Sequence, residues 1–168
     1  MKQDWKFIMK QLKLQHLKAT APGFFEASGG YGMGIKKYDD RTANGLTRCI
    51  IDFLTFKGHY ANRILTQGQA RFHDIKRFNI FSENRETVSN TVTWTKGTTR
   101  RGSPDLTAII CGVSVNIEVK IGKDKMSPEQ ERERSAIQKA GGLNFIAHDM
   151  PSFIDFYNSI ICQNEKQA

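Results

Sequence analysis

The stretch RRGSPDLTAIICGVSVNIEVK, residues 101–121, sets two apolar runs side by side, with Asp105 at the head of the first and Glu118 with Lys120 in the second. In VSVNIEVKI (113–121) the residues Val113, Val115, Ile117, Val119 and Ile121 alternate with Ser114, Asn116, Glu118 and Lys120. Side chains of a strand alternate between faces, so the spacing predicts a strand with Glu118 and Lys120 together on its polar face. DLTAII (105–110) reads as a second strand, joined to the first through Cys111-Gly112. A tight two-residue turn there pairs Ile110 with Val113 and, counting back, sets Asp105 opposite Glu118. A turn longer by two residues would offset the pair without changing its face. Opposed side chains have Cβ atoms about 4.5–5.5 Å apart, and like charges so placed repel. Lys120 supplies part of the missing positive charge. A divalent cation supplies more, because hard ions such as Mg²⁺ bind through one or two carboxylates and complete their shell with water and phosphate oxygens.

Downstream, MSPEQERERSAIQKAGG (126–142) reads as a helix with Ser127 as its cap, Pro128 at its first position and Gly141-Gly142 as its end. Gln130, three residues after Ser127, also has the spacing of a capping box. LNFIA (143–147) reads as a short buried strand, and a last helix begins near Pro151 with Phe153, Ile154, Tyr157, Ile160 and Ile161 as its core stripe. Upstream, Leu46, Cys49, Ile50, Phe53 and Leu54 form a helical stripe from about Asn44 to Lys57, ended by Gly58, and HYANRILT (59–66) follows as a strand. Gln67 to Arg101 reads as a long exposed excursion with weak strand signals around Thr91 to Thr95. In the first segment Trp5, Ile8, Met9 and Leu12 recur at helical spacing, as do Lys2, Lys6, Lys10 and Lys13 on a second face, which reads as a solvated face in preference to a phosphate-tracking stripe. That helix stops before Ala21-Pro22-Gly23. Residues 24–41 read as a loop, and their GGYGMG (29–34) matches no phosphate-loop spacing. The order of elements predicts an α/β fold, a sheet flanked by helices.

A chain of 168 residues is long enough for one core, burying roughly 70% of the surface that the unfolded chain exposes. It has 39% apolar and 25% charged residues and no stretch near the roughly 20 apolar residues of a membrane span, which excludes a membrane-spanning helix. The N-terminus lacks the pattern of a secretory signal. The three cysteines, Cys49, Cys111 and Cys162, are far apart and suggest neither disulfides nor a zinc site, so a cytoplasmic compartment is expected. The net charge of +8 favours a polyanionic partner, with nucleic acid the leading candidate.

Three motifs in order carry a family resemblance: Gly102-Ser103-Pro104-Asp105-Leu106, Glu118-Val119-Lys120 and Ser127-Pro128-Glu129-Gln130. They resemble the successive motifs of the PD-(D/E)XK nuclease superfamily, and the Gly-x-Pro-Asp and Ser-Pro-x-Gln forms most resemble its VRR-NUC branch, often met in bacteriophage and repair proteins. The resemblance covers residues 40–168 as a nuclease domain and leaves the amphipathic helix of residues 1–22 outside it. It implies a restriction-endonuclease-like core with a mixed β-sheet. It also implies an Mg²⁺-dependent endodeoxyribonuclease, with Mn²⁺ substituting, that is structure-selective or weakly sequence-specific. Carried over, Asp105, Glu118 and the carbonyl of Val119 hold the metal, Lys120 positions the attacking water and stabilises the phosphorane, and Gln130 lies near the metal centre. Where many members place a further acid on the first core helix, this chain has Asn44 or Thr47, with Asp39 and Asp40 upstream, a departure that bears on a second metal. Arg63 resembles the branch's strand arginine, although Leu65 stands where a polar residue is expected. Arg63, Arg100, Arg101, Lys123 and Lys125 are the expected DNA-backbone contacts, which give affinity without base readout.

The competing classes are a catalytically inactive DNA-binding module retaining the fold and an enzyme acting on a small phosphorylated molecule. A homodimer would pair two active sites on two strands. His16, His59, His73 and His148 lack metal-ligand spacing and read as packing or surface residues.

Overall fold

The structure is a computed structural model that describes residues 4–28, 37–64, 69–79, 81, 84–95 and 100–165. The elements are α1 (Trp5–Thr20), α2 (Pro22–Ser28), α3 (Ala43–Phe56), β1 (Tyr60–Arg63), β2 (Gln69–Asn79), β3 (Asn84–Thr95), β4 (Leu106–Ile110), β5 (Val113–Val119), α4 (Pro128–Lys139), β6 (Leu143–Ala147) and α5 (Met150–Glu165). By contacts the chain divides into two units, residues 1–64 with 102–168, and residues 65–101.

The β4–β5 hairpin organises the first unit. Its turn residues Cys111 and Gly112 have φ of +49° and +81°, the mirror-image turn whose twist matches that of paired strands. Ile110 pairs with Val113 and Leu106 with Ile117, the predicted register, and the pairing ends there, one step short of Asp105 and Glu118. β1 adds antiparallel to β4 and β6 parallel to β5, giving a four-stranded mixed sheet in the order β1-β4-β5-β6.

Opposed residues share a face, so Leu106, Ala108 and Ile110 join Val115, Ile117 and Val119 on one apolar surface, all buried. Against it pack Leu46, Ile50, Phe53 and Leu54 of α3 and Phe153, Tyr157 and Ile160 of α5. Phe53 meets Phe153 and Tyr157 edge to face, at centroid distances of 5.9 and 5.0 Å. Met9 and Leu12 of α1 bury themselves in the same core. The other face carries Asn116 and Glu118 of β5 and is covered by α4, where Asn144 of β6 donates to the Arg134 carbonyl at 3.1 Å. Helices therefore flank both faces. Three of them begin at one end of the sheet, where β4 starts and β1, β5 and β6 finish. Asn44 in the first turn of α3 accepts from Arg63 at the end of β1 (2.8 Å), the first N–H of α5, on Met150, donates to Asp40 (3.1 Å), and the α4 cap lies beside the end of β5.

Four expectations change. Residues 22–28, placed in a loop or at its border, form the short helix α2, while GGYGMG lies outside the described residues. LNFIA is less buried than expected, since among its residues only Ala147 is fully covered. The strand read over residues 59–66 is shorter, Tyr60–Arg63, with Leu65 and Thr66 outside the described residues. The largest change is the second unit. The expected excursion is a pair of long antiparallel strands, β2 and β3, in register from Gln69 opposite Thr95 to Asn79 opposite Asn84, with a shift at Ile75/Lys76. Their sequences lack a strict apolar alternation, so the backbone ladder makes the strands and leaves little periodic trace.

Candidate functional site

At the end of the sheet where the three helices begin, β4 and β5 bring the motif residues together. Asp105 immediately precedes β4, and its Oδ2 accepts the Val119 N–H at 2.9 Å, fixing the carboxylate against the last residue of β5. The Asp105 carbonyl accepts from the Ile64 N–H at 2.8 Å, which ties the same residue to the β1 side. Peptide groups along a strand turn alternately to either side, and the Lys120 N–H points toward β6, where it donates to the Ala147 carbonyl (2.9 Å). The Val119 carbonyl is therefore directed to the side of Asp105.

Glu118 and Lys120 are both buried on the face under α4, each 7% exposed. The Lys120 ammonium has three N–H groups and meets three oxygens: Glu118 Oε1 at 3.2 Å, Gln130 Oε1 at 3.1 Å and Asp124 Oδ2 at 3.5 Å. Buried charges persist when paired and hydrogen-bonded in this way. The Glu118 carboxyl is pushed above the ordinary glutamate range, first by burial and then by the negative charge of Asp105, with the hydrogen bond and charge of Lys120 opposing. The expected repulsion between the two carboxylates is thus present, while an Asp105–Lys120 ion pair is not among the contacts found for the described residues.

Gln130 joins the groups. Its Oε1 accepts from the Ser127 N–H (2.8 Å) and from Lys120, its backbone N–H donates to Ser127 Oγ (3.2 Å), and its Nε2 donates to Glu118 Oε1. The capping box and the contact with the charged pair are the same side chain used twice. The approach of the Asp105 loop to this helix requires glycine. Gly102 has φ of +82°, and a Cβ there would lie 2.5 Å from the Glu129 carbonyl oxygen and 2.9 Å from the Gln130 nitrogen. The Gly-x-Pro-Asp and Ser-Pro-x-Gln motifs are therefore in direct contact.

The other predicted residues are placed differently. Arg63 is exposed and shares the α3 face of the sheet with Leu106 and Ala61, bonded to Asn44, so it is not gathered with Glu118 and Lys120. Lys123 and Lys125 are exposed in the loop between Lys120 and Ser127, the loop that also holds Asp124. Arg100 and Arg101 are exposed and belong to the second unit.

Two residues escaped the sequence reading. Asp124 reaches Lys120 across one turn of loop, and its i+4 spacing from Lys120 is the only trace in the sequence. His148 places its ring Nδ1 3.0 Å from the Lys120 carbonyl, a contact with a backbone atom that no side-chain spacing announces.

Among the described residues no three His, Cys, Asp or Glu side chains gather as a metal-binding group, and no helix is long and apolar enough to cross a membrane. Comparison with protein-family models, with curated proteins and with solved structures finds no match to this chain.

Proposed function

We propose that the chain is a metal-dependent DNA endonuclease built on a restriction-endonuclease-like core. The observation that carries the reading is the meeting, at one end of the sheet, of a carboxylate fixed against Val119 with a buried glutamate–lysine pair, in the register that the three motifs require. The donor set fits a hard divalent ion: Asp105 and Glu118 supply carboxylate oxygens, the Val119 carbonyl is directed to the same side, and a pair of repelling carboxylates gains from a cation between them. Mg²⁺, with Mn²⁺ as substitute, would neutralise charge on the scissile phosphate and lower the pKa of water when bound.

The chain's own residues account for the rest of the chemistry. Lys120, a buried ammonium with fixed direction, orients the attacking water and stabilises the charge that builds on the phosphate oxygens. Gln130 holds that ammonium beside Glu118, and Asp105 takes its direction from the Val119 N–H. Lys123 and Lys125 stand exposed on the loop after Lys120, where DNA phosphates pass, and give affinity without reading bases.

The test is cleavage of labelled duplex, single-stranded, flap and four-way-junction DNA with Mg²⁺, Mn²⁺ or EDTA, by wild type and by Lys120→Ala. Metal-dependent products, reduced about 10²–10³-fold in the variant, are expected. Salt-sensitive binding without product under either metal would sink the catalytic assignment and leave a DNA-binding module.

A further inference from the structure

His148 stands where the β5–β6 ladder runs out. Val119 pairs with Ala147 in the parallel register, so the next step along both strands brings His148 level with Lys120. The backbone then leaves the sheet, because α5 starts at Met150. One further bond closes the gap. The Lys120 N–H donates to the Ala147 carbonyl at 2.9 Å, and the Lys120 carbonyl lies 3.0 Å from the His148 ring Nδ1. A carbonyl oxygen only accepts, so Nδ1 carries the hydrogen. The ring thus replaces the backbone N–H that a longer β6 would have offered.

We propose that His148 is a positioning residue of the site: its Nδ1–H holds the Lys120–Ile121 peptide against β6 and so fixes the direction in which the Lys120 ammonium is presented. The peptide it holds leads directly into the loop of Gly122, whose φ is +61°, and of Asp124, which meets the same ammonium at 3.5 Å. Without the ring, the Lys120 bond to Ala147 is left as the frayed end of the ladder and opens more readily, because nothing holds the chain on the side from which that loop departs. Groups that orient a site's principal residues through a hydrogen bond typically contribute about 10–100-fold to its activity or metal affinity. The proposal rests on the nuclease reading for its consequence, but not for its geometry.

Three full-length variants test it. In His148→Asn the side-chain amide nitrogen sits where Nδ1 sits, in His148→Gln it sits one bond further out, and in His148→Ala no donor remains. Two measurements are made on each: hydrogen exchange at the Lys120 amide, and metal-dependent cleavage of the DNA panel. The expected result is exchange about tenfold faster and cleavage about tenfold slower in the alanine variant, with asparagine restoring most of both and glutamine little of either. Equal rescue by asparagine and glutamine would reduce His148 to packing and overturn the proposal, as would unchanged exchange in His148→Ala. If wild type cuts nothing while the exchange pattern holds, the nuclease reading fails and the role of His148 in holding Lys120 stands.

Discussion

Gly102→Ala probes how the Asp105 loop and the Gln130 helix are joined, and Gly112→Ala provides its control. Both glycines sit at nearly the same dihedral, φ of +82° and +81°. An alanine at either position bears the left-handed penalty of about 1–2 kcal/mol. Only Gly102 faces an obstacle: its added Cβ would lie 2.5 Å from the Glu129 oxygen, 2.6 Å from the Glu129 carbonyl carbon and 2.9 Å from the Gln130 nitrogen, whereas at Gly112 nothing lies within 4 Å. The obstacle is helix backbone and cannot rotate away, so the loop or the first turn of α4 must shift. Forcing a methyl into a packed contact costs about 1–3 kcal/mol more. Urea denaturation should therefore give a loss of about 1–2 kcal/mol for Gly112→Ala and about 2–5 kcal/mol for Gly102→Ala. The displaced turn carries Gln130, so only the Gly102 variant should also lose cleavage. Equal losses of stability in the two variants would refute the idea that the two motifs abut at this glycine.

Three further outcomes follow from the charges. Glu118 binds its proton more tightly in the folded chain than in the unfolded one, so in EDTA stability should fall as pH rises from the ordinary glutamate value of 4.5 through the raised one, and Glu118→Gln should lack that fall. At neutral pH, Mg²⁺ at ten times its Kd should restore about 1.4 kcal/mol to wild type and nothing to the variant, read by the same urea titration. Lys123→Ala with Lys125→Ala should lower the slope of log affinity for duplex DNA against log salt by about 1.8, with little effect on stability; an unchanged slope would show that the DNA backbone runs elsewhere.

Much of the first unit was legible because its signals are local and periodic. The alternation over residues 113–121 and the two-residue turn fixed both the register and the face shared by Glu118 and Lys120, and Ser127 with Pro128 announced the start of α4. The capping box expected at Gln130 is present, and the same amide group also meets Lys120 and Glu118, in keeping with two roles that do not exclude each other. What escaped depends on partners distant in sequence or on backbone atoms. β2 and β3 pair through their peptide groups with no strict apolar face in either sequence, and the ring of His148 finds a carbonyl 28 positions away. The face on which Arg63 lies followed from its pairing with Leu106, which the sequence of β1 alone does not declare.

α4 contributes no fully buried residue to either face of the molecule. It is held at its start by the cap and the Gln130 contacts, and further along by the Asn144 bond to the Arg134 carbonyl. Elements with little buried surface open locally at a free energy well below that of the whole fold. The fraction of molecules with Lys120 and Glu118 correctly held is therefore governed by the opening equilibrium of one helix, and a variant can lose the site while its core still melts as wild type does.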